Sequence, residues 1–318
     1  DSGLLPHNVR FVEGDSLLCL ASNGLARKAD ILPMDRSSST PMYDPCKKGA
    51  SKHYDGEFVL QEYAASLLMT ILYSARAGRF DLLRPTNFLA KRITRWDAKC
   101  DARMHKLMCY VASTYGDRMM GFIGDDPAKL SFHLACDSDF AGCPYTLKST
   151  SGVHADLQGP MSRFPWSAGS NQQTSTAQSS TEAELVALAH GIVHKGDPGY
   201  KIWSLLLKHY HRNNPEWKLE INLHEDNAAA VTGAVTGENP SCQTLERNFG
   251  VKVGMVHERF KSRDYAIVKT KTDYMAADIY TKVMGSPILF RSLRKVINVF
   301  TSQELETMDV NPHLCFNI

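Results

Sequence analysis

The sequence predicts an α/β protein in which a mixed five-stranded sheet, flanked by helices, follows a small and mainly helical domain. Apolar residues recur at helical spacing between residues 57 and 126. The pattern then changes, because Phe132, Leu134 and Cys136 alternate with smaller or more polar neighbours in the period of a β-strand. Strand and helix patterns continue in the order β-β-β-α-β-α-β, which favours helices packed on a mixed sheet.

The chain divides into four predicted segments. Residues 1–56 carry turn formers without sustained periodicity and indicate an irregular entry segment. Residues 57–126 form the helical domain, with helices expected at 58–75, 80–93 and 98–113. Residues 127–300 form the α/β domain, and residues 301–318 a C-terminal tail.

Within the α/β domain the expected elements follow one another closely. A strand ends near Asp137, two short strands cover 152–157 and 161–166, and a helix runs from the capping cluster at 179–181 to about Lys195. The remaining predictions are a helix at 200–211, a strand at 219–224, a short helix from Asp226, a basic helical stretch at 245–261, a strand at 265–270 and a terminal helical region.

Composition narrows the class of protein. The chain is 43% apolar and 22% charged, which is typical of a globular protein. Its most apolar stretch, 66–73, is far shorter than the ~20 residues of a membrane span, so no membrane association is expected. The region 247–295 is rich in Lys and Arg and could face phosphates, although a solvated basic surface explains it equally well. The candidate nucleic-acid-binding residues are Arg247, Lys252, Lys261, Lys269 and Lys271.

Four acidic residues stand where predicted elements begin or end: Asp137, Glu184, Asp226 and Asp278. Strand ends and a helix start can bring carboxylates that are distant in sequence into one cluster. Carboxylate oxygens are the ligands that hard divalent cations require. Two Mg²⁺ ions ~4 Å apart can activate water and stabilise a leaving oxygen in phosphodiester cleavage. The four acids therefore form a candidate two-metal site.

Each acid also has a purely structural interpretation. Asp226 could be a helix N-cap, and Asp278 could stabilise the positive end of its helix. Glu184 follows Thr181 at capping-box spacing, and Glu182 follows Ser179 in the same way. Asp137 could be a polar residue in a turn. Taken singly, each acid is explained better by structure than by metal binding.

The sequence around each of the four acids resembles a motif of a known family. The stretches 136–142 (CDSDFAG) and 148–152 (KSTSG), Trp166-Ser167, 179–185 (SSTEAEL), 225–227 (EDN) and 277–282 (ADIYTK) resemble, in order, the motifs of the ribonuclease H domain in copia-type retrotransposon Pol polyproteins. The upstream helical part resembles the connection segment of the same elements at 39–42, 66–68 with Tyr73, 79–81, and Trp96 with Tyr110. The polymerase motif Tyr-x-Asp-Asp does not occur in the sequence.

The resemblance implies a ribonuclease H endonuclease that cuts the RNA strand of RNA·DNA hybrids. It implies two Mg²⁺ ions, replaceable by Mn²⁺, that are held by Asp137, Glu184, Asp226 and Asp278. Asp137 is chosen over Asp139, and Glu184 over Glu182, by their places within the motifs. The implied partners are the hybrid and an upstream polymerase domain of the same polyprotein. The implied location is the cytoplasm, within retroelement particles, or the nucleus. Two alternatives stay open: a catalytically silent nucleic-acid-binding module, and a structural remnant of a polyprotein.

Histidines are the main departure from the family pattern. The family's Lys-His-Ile run is replaced here by Arg247-Asn248-Phe249, and His257 lies nearby as a candidate for proton transfer or as a plain surface residue. His190 and His194 lie one helical turn apart and could bind zinc, but no third ligand is evident in the sequence.

Overall fold

The polypeptide folds into two units that divide between Arg118 and Met119, a little earlier than the predicted boundary at 126/127. The computed structural model describes residues 60–211, 214, 216–237, 245–250, 253–261 and 265–310. The predicted entry segment 1–56 lies outside these residues, as does Lys252. In the described part of the chain, no helix combines the length and the apolar character needed to cross a membrane.

The first unit contains the three predicted helices: α1 Gln61–Ala77, α2 Leu83–Ala90 and α3 Ala98–Ser113. The third matches its predicted range at both ends. Asp97 caps its first turn by accepting a hydrogen bond from the backbone N–H of Cys100. The second is shorter than predicted, because 3₁₀ turns at Phe80–Leu82 and Ile93–Arg95 flank it.

A buried ion pair in the turn between α1 and α2 connects that turn to the end of α3. The guanidinium of Arg79 donates to both carboxylate oxygens of Asp81, at 2.9 and 2.8 Å. The hydroxyl of Tyr110 donates to the same carboxylate at 2.6 Å, and Arg79 also donates to the carbonyl of Thr114. Arg79, Asp81 and Tyr110 therefore have a structural role in this unit.

The second unit contains the sheet and the remaining helices. Its strands, counted from the one that crosses the division, are β1 Arg118–Met119, β2 Phe122–Ile123, β3 Ser131–Asp139, β4 Thr150–Gly159, β5 Ser162–Gln172, β6 Ile221–Glu225, β7 Tyr265–Lys269 and β8 Val299–Phe300. Its helices are α4 Ser180–Gly191, α5 Asp197–Lys208, α6 Ala228–Thr236, α7 Leu245–Phe249, α8 Val253–Lys261, α9 Asp278–Thr281, α10 Pro287–Val296 and α11 Ser302–Val310.

The main sheet is mixed, with the strand order β2-β5-β4-β3-β6-β7. Neighbours from β2 to β3 are antiparallel, whereas β6 is parallel to both β3 and β7. The α/β class and the mixed sheet flanked by helices are therefore confirmed. The predicted count of five strands is wrong by one, because β2 adds a two-residue edge strand paired with β5. Two residues are too few to show a strand period in the sequence.

The apolar core lies between α4 and one face of the sheet. Phe132, Leu134 and Cys136 of β3 face this core, and Leu185 and Leu188 of α4 pack there. The helix predicted to continue to Lys195 instead ends at Gly191 and passes through a π-helical turn, Ile192–Gly196, into α5. Gly191 permits the close packing, because a Cβ there would collide with the Cys136 sulfur.

A second helix, α9, approaches the opposite face of the sheet. Gly152 of β4 makes the approach possible, since a Cβ at this position would collide with Thr281 and with the carbonyl of Ala277. Gly152 is also the register partner of Asp137 on β3. The short helix α9 is therefore held directly beside Asp137.

Candidate metal centre

Three of the four predicted acids converge in the structure. Asp137 lies on β3, Glu184 on α4, and Asp226 directly follows β6. One carboxylate oxygen from each lies within 4.8 Å of the others, so this carboxylate group can hold a metal ion. The convergence follows from topology, because β3 and β6 are parallel neighbours whose carboxyl ends meet at one edge of the sheet.

Asp137 is buried and lies inside β3, whereas the sequence predicted it at the end of the strand. Its Oδ2 accepts a hydrogen bond from the hydroxyl of Thr281, and its Oδ1 lies 3.4 Å from Nζ of Lys282. Asp139, which ends the strand, instead accepts a bond from the backbone N–H of Thr150. Asp137 is therefore a member of the carboxylate group, whereas Asp139 closes the connection between β3 and β4.

Glu184 and Glu182 also have different roles. Ser179 caps α4 by accepting from the backbone N–H of Glu182, and the Glu182 carboxylate accepts from the backbone N–H of Gln178 at 2.6 Å. Capping at this end of the helix is thus carried by Ser179 and Glu182. Glu184, one turn into the helix, points its carboxylate at the other two acids.

Asp226 is not the N-cap of the following helix. Asn227 has that role, because its side-chain oxygen accepts from the backbone N–H groups of Ala229 at 2.9 Å and Ala230 at 3.1 Å. Asp226 accepts only a 3.3 Å bond from the hydroxyl of Thr272 among the hydrogen bonds of the described residues. Its carboxylate is therefore available to bind a metal ion together with those of Asp137 and Glu184.

Asp278, the fourth predicted acid, lies beside the carboxylate group but outside it. It is the first residue of α9 and is buried, and its Oδ1 accepts from Nζ of Lys282 at 2.7 Å. Burial and the neighbouring charge of Asp137 raise its pKa to about 7. Its role as a metal ligand stays a prediction.

The electrostatics of the group favour a cation. Burial, followed by the charges of Glu225, Asp137 and Asp226, raises the pKa of Glu184 to about 10. Burial also raises the pKa of Asp137, although Lys282 and Thr281 oppose the shift. Crowded buried carboxylates resist ionisation together, and a bound cation removes that penalty.

The donor set fits a hard divalent ion. Every member of the group is a carboxylate, the donor type that Mg²⁺ and Mn²⁺ prefer. Glu184 also keeps one oxygen, Oε2, buried and without a hydrogen-bond partner among the described residues. A buried anionic oxygen in this state is costly unless a cation neutralises it.

Sequence reasoning missed one further acid, Glu225, the residue before Asp226. It is fully buried, and burial together with nearby carboxylates raises its pKa to about 8. The strand period of β6 contained the signal, since Ile221, Leu223 and Glu225 alternate onto one face and the first two enter the apolar core.

The predicted basic residues are exposed wherever they are described, namely Arg247, Lys261, Lys269 and Lys271. None of the four forms an ion pair with a described carboxylate, so their charge is available to a polyanion. They come from different elements: α7, the end of α8, and β7 with the residues that follow it.

Other candidate ligands are less well placed. The rings of His190 and His194 lie 4.4 Å apart, but the described residues bring no third ligand to them. Trp166 packs edge-on against Trp203 at 6.0 Å, which is a core contact. His257 lies on α8 beside Gly237, and its role stays open.

No model of a known protein family matches the chain. No solved structure gives a significant match either.

Proposed function

We propose that this chain is a metal-dependent nuclease of the ribonuclease H type, which cuts the RNA strand of RNA·DNA hybrids. The observation that carries the proposal is the convergence of Asp137, Glu184 and Asp226 within 4.8 Å. The same three residues lie in three motifs that resemble the ribonuclease H domain of copia-type elements. Geometry and motif thus select the same side chains from a chain with 34 acidic residues.

The metal requirement follows from the donor set. Asp137, Glu184 and Asp226 would hold Mg²⁺, with Asp278 as a further ligand and with Mn²⁺ able to replace Mg²⁺. Two such ions would supply an acidic water and neutralise charge on the leaving oxygen. The chain's own contributions are to orient Asp137 through the hydroxyl of Thr281 and to offset negative charge with Lys282.

The fold supports the same proposal. From β3 to β7 the strands and helices follow the order β-β-β-α-β-α-β when consecutive helices are counted as one. The elements outside that order are β1, β2, α9, α10, β8 and α11. The carboxyl ends of the parallel strands β3 and β6 and the first turns of α4 supply the acids.

Substrate binding is proposed to run through phosphates and sugar hydroxyls. Arg247, Lys261, Lys269 and Lys271 are exposed cations that could neutralise phosphates, and phosphate contacts carry no sequence information. An RNA·DNA hybrid offers the 2′-hydroxyls of one strand, which distinguish it from duplex DNA. The helical unit is proposed to correspond to the connection segment, with the polymerase domain of the same polyprotein as its partner.

The test is cleavage of a hybrid labelled on either strand, compared with duplex DNA and duplex RNA. We expect cleavage of the RNA strand alone, dependent on Mg²⁺ and abolished by EDTA. An Asp137→Asn variant should bind the hybrid without cutting it. Binding without any cleavage by the parent chain would favour the catalytically silent module, and the absence of both would refute the assignment.

A further inference from the structure

Glu225 is a fully buried carboxylate beside the metal site, and although it lies in the third motif it is outside the three-residue group. It is the last residue of β6, directly before Asp226. Its charge is the largest electrostatic influence of any side chain on Glu184, ahead of Asp137 and Asp226. Ile221 and Leu223, which alternate with Glu225 on β6, belong to the same core cluster as Leu185 and Leu188 of α4, so Glu225 lies on the α4 side of the sheet.

Its two oxygens are in different situations. Oε1 accepts a 3.1 Å hydrogen bond from the backbone N–H of Asn227. Oε2 is buried and has no hydrogen-bond partner among the described residues, as is true of Oε2 of Glu184. Two glutamates thus present unsatisfied buried oxygens on neighbouring elements, β6 and α4. Burying such oxygens is unfavourable unless a cation binds them.

A structural role alone explains Glu225 poorly. A glutamine would accept the same bond from Asn227 without placing a charge in the protein interior. An apolar residue would continue the pattern of Ile221 and Leu223, which face the core from the same strand. A carboxylate at this position makes physical sense when a cation is close to it.

We propose that Glu225 is a fifth carboxylate of the metal site and contributes its Oε2 to cation binding. The inference rests on the proposed function only for the identity of the cation. When ionised, Asp137, Glu184, Glu225, Asp226 and Asp278 with the single ammonium of Lys282 leave four negative charges. Four is the charge of two divalent cations, so Glu225 completes the charge balance of a two-ion site.

The test is a comparison of Glu225→Gln with the parent chain by calorimetric titration with Mg²⁺ and Mn²⁺ and by thermal melting. We expect divalent-ion affinity to fall roughly 10- to 100-fold, the range seen when residues that support a metal site are removed. Without divalent ions the variant should melt at a higher temperature than the parent, because a glutamine avoids the cost of protonating a carboxyl group or burying it ionised, while the bond to Asn227 is kept. Saturating Mg²⁺ should then raise its melting temperature less.

Glu182→Gln is the matched control. It makes the same chemical change at another fully buried glutamate, whose carboxylate serves the end of α4 and not the metal site. Its ion affinity and the rise in its melting temperature on adding Mg²⁺ should equal those of the parent.

The outcomes separate this inference from the nuclease proposal. Unchanged ion affinity in Glu225→Gln, with ion binding by the parent, overturns the role of Glu225 and leaves the nuclease standing. A variant that is less stable than the parent without ions, or that fails to fold, shows a structural role and also overturns the inference. Absence of divalent-ion binding by the parent chain refutes both.

Discussion

The ammonium of Lys282 lies 2.7 Å from Oδ1 of Asp278, one helical turn before it. The same ammonium lies 3.4 Å from Oδ1 of Asp137. Burial lowers the pKa of Lys282, but the carboxylates of Asp137 and Asp278 outweigh that effect and the net shift is upward. Lys282 is therefore a built-in cation that already neutralises part of the negative charge beside the carboxylate group.

Replacing Lys282 should lower the folding stability without metal and should increase the stabilisation that Mg²⁺ gives. We expect Lys282→Met to lose about 1 kcal/mol of folding stability in EDTA, because the side chain is partly exposed and its ion pairs are partly screened. The rise in melting temperature on adding Mg²⁺ should exceed that of the parent, since the site is left more negative. Thermal melting in EDTA and in Mg²⁺ measures both effects.

The control is Lys201→Met, which removes an exposed lysine on α5. It should leave the response to Mg²⁺ unchanged. If Lys282→Met responds to Mg²⁺ no more strongly than this control, Lys282 does not share its carboxylates with the metal site.

Stability without metal should fall as the pH rises from 7 to 9. The folded-state pKa values of Glu184 and Glu225, about 10 and about 8, lie above their ordinary value of 4.5. The folded protein therefore holds more protons than the unfolded chain in this range, and stability is lost as pH rises toward the folded pKa values. Each group contributes a slope of up to about 1.4 kcal/mol per pH unit.

The buried histidines do not contribute to the pH dependence of stability between pH 7 and 9. Burial lowers the pKa of His133 and His154 to about 3 and of His224 to about 4, so all three are neutral in both states above pH 7. Urea unfolding between pH 7 and 9 should show the fall in EDTA and a smaller fall in saturating Mg²⁺, where ions replace protons. Equal slopes with and without Mg²⁺ would show that the ion does not bind these carboxylates.

Much of the fold was predictable because its signals are local. The periodicity around β3 and the capping cluster before α4 located the elements that carry Asp137 and Glu184. The edge strand β2 and the π-helical turn after α4 could not be predicted, since two residues show no period and Gly191 acts through a distant contact with Cys136.

The site was predictable where a motif fixed each residue, and less so where two similar residues adjoin. Asp226 and Asn227 are both good N-caps, so only the hydrogen bonds from Ala229 and Ala230 show which one caps α6. The contact between Lys282 and Asp137 depends on how α9 packs beside β3. Packing of this kind is a tertiary property that local spacing does not encode.

Binding of the hybrid should weaken steeply with salt. Each phosphate neutralised by a lysine adds about 0.9 to the slope of log K against log salt concentration for duplex DNA. We expect Lys271→Gln to lower affinity for all sequences alike and to reduce this slope by about one. Fluorescence anisotropy over a salt series, in EDTA to prevent cleavage, measures the change.

The matched control for this experiment is Lys201→Gln, an exposed lysine on α5 outside the predicted binding set. It should leave the slope unchanged. A parent chain whose affinity barely depends on salt would rule out phosphate neutralisation as the source of binding.

The adjacent residues Asp226 and Asn227 allow metal binding and helix capping to be tested separately. Asp226→Asn replaces an anionic oxygen with a neutral amide of nearly the same shape, so the fold and hybrid binding should be kept. Cleavage should fall on the order of a hundredfold or more, because one of the few negative charges that hold Mg²⁺ is lost.

Asn227→Ala removes the cap of α6 and should cost about 1 kcal/mol of stability with little effect on cleavage. Single-turnover cleavage in saturating Mg²⁺ and then Mn²⁺ measures activity, and circular dichroism and urea unfolding on the same samples measure fold and stability. Fluorescence anisotropy in EDTA measures hybrid binding. If Asp226→Asn cuts within about threefold of the parent in Mg²⁺, a difference of under 1 kcal/mol in activation free energy, Asp226 is not a ligand and the carboxylate site has to be abandoned.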